Sequence, residues 1–307
     1  MTVLATGSNT SRRTVLALGA GAVLAVATPL GAGAQAATPR TDQLSRRLAD
    51  LERQHSARLG VFAHDTATGR SVRYRADERF PMCSLFKTLA AAAVLRDLDR
   101  HGEFLAKRLR YTAKDVSDAG YTPITGKPEN LAHGMTVAAL CSAAVSYSDN
   151  AAGNLLLREL GGPHAITRFC RSTGDRVTRL DRYEPDLNSA EPSRVTDTTS
   201  PRAIGQTYQR LTLGTALAPH DRRQLTEWML ATTTGGEKFR AGLPSDWTVA
   251  DKTAGGEYGT NHDAGLVRPP GRAPIVMAVL TAKRTPDAAA DNPLVAKTAA
   301  LLASALS

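Results

Sequence analysis

The strand-like segments of this 307-residue chain stand at its two ends, with a long helix-patterned stretch between them. Leu59 to His64, then Asp65 to Gly69, then Ser71 to Arg75 reads as a β-hairpin with Thr68-Gly69 in the turn. Strand patterns return only late, at Trp247 to Thr253, His262 to Val267 and Pro274 to Thr281. Helical patterns fill Leu85 to Leu98, Thr136 to Ala144, Ala151 to Leu160, His164 to Ser172, Pro201 to Leu211 and Pro219 to Ala231. Two more, Thr41 to His55 with Leu44, Leu48 and Leu51 on one face, and Pro293 to Ala305, bracket the whole. This order predicts a sheet assembled from two distant segments around an all-helical insertion. The class is α/β plus all-α, with 37–80 and 232–307 as a discontinuous α/β domain and 81–231 as an all-α domain.

Residues 1–36 read as a targeting segment. Ser11-Arg12-Arg13 precedes an apolar run from Val15 to Leu30, and Ala34-Gln35-Ala36 supplies a small-residue cleavage site. Paired arginines before a mildly apolar stretch look like a twin-arginine export signal. Gly19, Gly21 and Pro29 make that stretch a poor permanent membrane span, so no stable anchor is expected. Cleavage after Ala36 removes Arg12 and Arg13 and no acid, so the formal charge falls from +9 by 2 to +7. The remaining basic residues are scattered singly among acids, which argues for a solvated surface and against nucleic acid. Cys83, Cys141 and Cys170 are too few for a disulfide framework and read as small buried thiols.

Four short polar motifs follow in order: Ser84-Leu85-Phe86-Lys87, Ser148-Asp149-Asn150, Glu184-Pro185-Asp186-Leu187-Asn188 and Lys252-Thr253-Ala254. They supply a nucleophile, proton shuttles, a second base and a cationic anchor, as acyl transfer requires. Ser84 and Lys87, three apart in a helical segment, share a face, and a nearby amine in low dielectric can activate a serine hydroxyl. Ser148-Asp149-Asn150 also suits a turn and helix cap. Glu184 can activate the water that releases an acyl-serine. Glu184 and Asn188 sit in a Pro-, Asp-, Asn- and Ser-rich stretch, Arg182 to Pro201, that shows no clean periodicity and reads as a functional loop.

The ordered set resembles the class A serine β-lactamases over about residues 40 to 305, and the family's motifs match most of it. The resemblance implies a β-lactamase/transpeptidase-like fold, an antiparallel sheet flanked by helices with the inserted helical domain. It implies hydrolysis of the β-lactam amide of penicillin-type antibiotics, with resistance as the outcome, no metal and no cofactor, a monomer, and secretion to the extracellular space. Ser84 would be the nucleophile, Lys87 or Glu184 (through water) the acylation base, and Glu184 the deacylation base. Ser148 would protonate the leaving nitrogen and Asn150 hydrogen-bond the substrate's amide side chain. Asp149 would hold its loop together, and Asn188 would steady the hydrolytic water. Lys252 would support the Ser148 proton path and the substrate carboxylate, and Thr253 would hydrogen-bond that carboxylate, with Ser84 and Gly255 N–H groups as the oxyanion hole. The family further implies a cis Glu184–Pro185 bond, an Arg182–Asp197 tie across the loop, and Tyr121 at the pocket mouth.

Two departures stand out. Ala254 replaces the family's glycine, and its β-carbon falls on the Lys252 face. Asn261 stands where some relatives carry a carboxylate-binding arginine; others supply one from before the strand, where this chain has Lys238. Gly256 occupies the position that partners a cysteine beside the nucleophile in some carbapenem-hydrolysing relatives, which argues against that bridge. The chain shows no Gly-x-Ser-x-Gly elbow, no zinc-hydrolase histidine pattern and no phosphate-cradling glycine loop. The rivals are a D,D-peptidase and a β-lactam-binding sensor. The Glu184/Asn188 pair disfavours both, and the sensor would also need an anchor or signalling domain.

Overall fold

The computed structural model describes residues 39–307, so the expected signal segment 1–36 and its cleavage site lie outside the described residues. Five strands form the main sheet: β1 (Arg58–Asp65), β2 (Ser71–Tyr74), β3 (Thr248–Gly256), β4 (Thr260–Arg268) and β5 (Ile275–Ala282). Their order is β2-β1-β5-β4-β3, and every neighbouring pair is antiparallel. The two ends of the chain meet at β1 and β5, paired from Arg58↔Ala282 to Asp65↔Ile275. Asp65 closes the expected hairpin turn by accepting from Ala67 N–H at 2.8 Å and Thr68 Oγ1 at 2.8 Å, while Gly69 takes the left-handed φ of +73°.

Eight longer helices surround it: α1 (Pro39–Gln54), α2 (Phe86–Ala93), α3 (Val137–Ser146), α4 (Asn150–Glu159), α5 (His164–Ser172), α6 (Pro201–Thr212), α7 (Pro219–Leu230) and α8 (Asn292–Leu306). Leu59, Val61, Met277 and Val279 turn one sheet face to Leu48 of α1 and Leu294, Ala299 and Leu302 of α8. Phe62, Ala278 and Leu280 turn the other to Ile204 and Tyr208 of α6 and to the helical core. Covered on both faces, β1 reads as a nearly continuous apolar run. A β-carbon on Gly205 of α6 would stand 2.7 Å from Phe62 Cδ1, so glycine lets this helix lie close to the sheet.

The single helix expected over Leu85 to Leu98 is instead a 3₁₀ turn at Cys83–Leu85, then α2, then a π-helical turn at Val94–Leu98. Every residue of α2 is buried, and its alanine run lets neighbouring helices approach on all sides. The π turn ends at Asp99, whose carboxylate accepts from Gly102 and Leu105 N–H groups and redirects the chain. Four short helices were not legible: Glu103–Ala106, Ala113–Ala119, Pro128–His133 and Phe239–Gly242. They are too short to show a period, although Thr112 and Asp115 form a capping box at the second.

The Arg182 to Pro201 stretch is an irregular loop with one 3₁₀ turn, Asp186–Ser189, and a cis Glu184–Pro185 bond. Its ends are tied inside the protein: Arg182 Nε donates to Asp197 Oδ2 at 2.6 Å, and buried Asp197 also accepts from the N–H groups of Asp181 and Arg182. Beyond the tie, Thr198–Thr199 pairs with Phe80–Pro81, and Met82 N–H donates to Asp197 O at 2.7 Å. That short ladder sets the loop against the segment leading to Ser84.

Candidate active site

Ser84 lies in the 3₁₀ turn ahead of α2, one residue after Cys83, which holds a left-handed φ of +45°. The turn is anchored by Tyr208, whose hydroxyl donates to Leu85 O at 2.8 Å from α6. His262 of β4 anchors the approach. Its Nδ1 accepts from Thr281 N–H at 3.1 Å, so Nε2 carries the proton and donates to Pro81 O at 2.8 Å. Burial pushes this imidazole down to about 4, so it is a neutral brace at physiological pH.

One helical turn on from Ser84, Lys87 points back at it, with Nζ 2.8 Å from Ser84 Oγ. The same ammonium is 2.9 Å from Glu184 Oε1 and donates to Asn150 Oδ1 at 2.6 Å and Ser148 O at 2.8 Å. Ser84 Oγ in turn donates to Glu184 Oε1 at 3.2 Å. Lys87 and Glu184 have fully buried side chains, so this pair is tenable only because each charge is closely partnered. Asn188 Nδ2 donates to the other Glu184 oxygen.

Glu184 is held by a residue that sequence reasoning missed. Asn154, one turn beyond Asn150 on α4, donates to Glu184 O and accepts from Glu184 N–H, each at 2.9 Å. Its signal was present: two asparagines four apart on a buried helix face. Asp149 caps α4 through Ala152 N–H and also accepts from Ile124 N–H, Thr125 N–H and Thr125 Oγ1. It therefore pins its own loop. Ser148 sits at φ +58° and receives a hydrogen bond from Lys252 Nζ at 2.9 Å.

Lys252 is fully buried on β3, and burial, followed by the charges of Lys87 and Lys238, drives its pKa well below the usual ammonium value. An amine so placed gives and takes protons readily. Thr253 Oγ1 is 2.5 Å from Thr234 Oγ1, a second residue not anticipated, which lies in the threonine- and glycine-rich turn after α7. Ala254 is buried on the Lys252 side of the strand, as alternation requires. Lys238 Nζ donates to His262 O at 3.3 Å; burial lowers its pKa, while Asp263 and Asp251 act the other way.

These groups open on one cavity of about 270 Å³, lined by Ser84, Tyr121, Ser148, Asn150, Asn188, Thr234, Lys238, Thr253, Ala254 and Gly255. Tyr121 is 57% exposed at its mouth. Lys87, Glu184 and Lys252 lie just behind the lining, in contact with Ser84 or Ser148. Cys83, Cys141 and Cys170 are buried free thiols. A β-carbon at Gly256 would stand 2.9 Å from Cys83 Sγ and 2.7 Å from Asn188 O, so the strand end packs directly on the loop.

The match to known proteins extends over the same residues. The family described as "Beta-lactamase enzyme family" matches residues 43–306. A β-lactamase of Streptomyces lavendulae is 67% identical over 98% of this chain and 99% of its own length. A carbapenem-hydrolyzing β-lactamase KPC of Klebsiella oxytoca is 49% identical over 80% of this chain and 83% of its own. The solved structure of the β-lactamase from Streptomyces albus G superposes with a TM-score of 0.86 at 66% identity, covering 86% of this chain and all of that one. With the sheet flanked by helices as that fold requires, the chain belongs to the β-lactamase family, as a class A serine enzyme.

Proposed function

We propose the following division of labour in this β-lactam hydrolase. Ser84 Oγ attacks the strained amide carbonyl, and its proton passes to the Lys87–Glu184 couple. Lys87 at 2.8 Å and Glu184 at 3.2 Å are both in reach of Oγ and 2.9 Å from each other, so the two act as one base. The backbone N–H groups of Ser84 and Gly255, both on the cavity wall, hold the developing oxyanion. Ser148 Oγ gives its proton to the leaving nitrogen and is resupplied by Lys252. The couple passes the serine proton on to the Ser148–Lys252 pair, so Glu184 is a carboxylate again. Glu184 then takes a proton from water steadied by Asn188, the hydroxide adds to the acyl carbonyl, and that proton goes to Ser84 Oγ as the ester bond breaks. Asn150 orients the substrate's amide side chain, Tyr121 borders the mouth, and Thr253 with Lys238 binds the substrate carboxylate.

The observation that carries this reading is the three-way contact of Ser84, Lys87 and Glu184, in which a nucleophile and the deacylating carboxylate share one buried ammonium. Its test is benzylpenicillin consumed per mole of mature protein, beside a Glu184→Ala variant. The expected outcome is many turnovers by the wild type and a single stoichiometric burst from the variant, with steady hydrolysis down about 10²–10⁴-fold. A single burst from both would overturn it.

The proposal extends to a monomer exported through the twin-arginine motif. Among the described residues no helix is long and apolar enough to cross a membrane. Activity in the culture medium that is lost when Arg12 and Arg13 are both replaced by lysine is the expected result.

A further inference from the structure

Behind Thr253 and Lys238 lies a second group of ionisable side chains to which the scheme above gives no task. Asp251 on β3 and Asp263 on β4 are both 0% exposed. Asp251 stands opposite Gly265, and Thr253 opposite Asp263, so the two carboxyls are diagonal neighbours on the Thr253 face. Each has one oxygen satisfied. Asp251 Oδ1 accepts from Arg240 Nη1 at 2.6 Å, and Asp263 Oδ2 accepts from Phe239 N–H at 3.1 Å. Asp251 Oδ2 and Asp263 Oδ1 have no other donor, although the two carboxyls are within hydrogen-bond reach of each other. A β-carbon on Gly235 would collide with Asp251 Oδ2, so the turn before β3 packs its backbone directly on this carboxyl.

Two adjacent buried carboxylates repel and each leaves an acceptor unpaired, whereas one proton removes both defects. We propose that Asp263 Oδ1 carries a proton and donates it to Asp251 Oδ2, and that this one-proton pair positions the substrate-carboxylate subsite. It leaves a single negative charge behind Thr253, matched by Arg240, so that Lys238 meets the substrate as a net cation.

This rests on the reading of Thr253 and Lys238 given above. Burial, and then the charge of Asp251, hold the Asp263 carboxyl well above the usual carboxylate range. The charges acting on the pair are Arg240 and Lys238 from the segment before β3 and Lys252 within it, while Glu237 acts on Lys238. From α8 come the apolar Leu294 and Val295. His262 is neutral. Ionisation of the pair adds a second negative charge beside Lys238, so KM rises at alkaline pH while kcat holds.

Carbon-13 NMR of aspartate-labelled mature enzyme tests the proton directly, independent of activity. A protonated carboxyl signal at pH 7 that disappears in Asp263→Asn is expected; its absence from the wild type overturns the pair. Asp263→Asn keeps a donor to Asp251 without the ionisation, so the alkaline rise in KM for benzylpenicillin, several-fold in the wild type, flattens. A rise of equal size in both proteins overturns the positioning role. If Lys238→Ala leaves KM unchanged while the carboxyl signal persists, the subsite reading falls and the proton assignment stands. Thermal unfolding provides a further check. A carboxyl whose folded pKa lies above its unfolded value of about 3.9 binds more protons in the native state, so its contribution to stability falls as pH rises above that value. The Tm of Asp263→Asn therefore gains on the wild type as pH rises towards the pair's folded pKa; a Tm difference that stays constant over that range would count against the proton.

Discussion

Two buried charge clusters sit behind opposite walls of the cavity, and they are partnered differently. On the helical side, the Lys87 ammonium meets Ser84, Glu184, Asn150 and Ser148, and Asn188 takes the second oxygen of Glu184. On the sheet side, Arg240 and Phe239 satisfy only half of the Asp251–Asp263 oxygens, and Lys238 reaches a carbonyl at the long distance of 3.3 Å. The first cluster is a closed hydrogen-bond network whose members are the groups proposed to react. The second is closed only by a proton and touches no reacting atom. Full partnering keeps reactive groups in place, whereas a proton-dependent pair sets the potential that substrate meets on arrival.

The largest effect expected from breaking this contrast is at Lys87. Lys87→Met removes the base and leaves Glu184 buried without its cation, so the protein should lose hydrolysis and about 3–5 kcal/mol of stability. Chemical denaturation monitored by fluorescence, together with the rate of penicillin loss, checks both. Lys238→Ala should spare folding but weaken substrate capture, raising KM with kcat little changed. Loss of one charge-assisted hydrogen bond, about 1.5–3 kcal/mol, corresponds to roughly 10–150-fold in kcat/KM. Gly256→Ala sharpens the comparison from outside either cluster. Its methyl meets Asn188 O and Cys83 Sγ, and the overpacking should cost about 1–3 kcal/mol. Because Asn188 contacts Glu184, deacylation should slow more than acylation, which single-turnover kinetics would resolve.

How much was legible follows the physics of each signal. The hairpin, the C-terminal strands and the longer helices carry apolar periods, and their observed bounds lie within a few residues of expectation. The motifs were legible because acyl transfer needs particular atoms at particular spacings, and Ser84, Ser148, Asn150 and Thr253 do converge on one cavity. Asn154, Thr234, Tyr208 and His262 were not, because each acts across a tertiary contact that local sequence does not encode. The 3₁₀ and π turns flanking α2 were missed for a related reason: an alanine- and leucine-rich run has high helical propensity throughout, and only packing decides where the winding tightens or loosens.

By itself the sequence determined the order of elements, the split of the sheet between two distant segments, the Ser84–Lys87 pair one helical turn apart, and the family. These are local or additive properties: periodicity, turn chemistry and residue type at fixed offset. Tertiary structure alone decided that Glu184 and Lys87 share a buried ion pair, that Asn154 grips the Glu184 backbone, that His262 is a neutral brace, and that Asp251 and Asp263 are buried side by side. Protonation and pairing depend on what surrounds a group after folding, when water is gone and the dielectric is low, and residues as far apart as Ser84 and Glu184 acquire those surroundings only through packing.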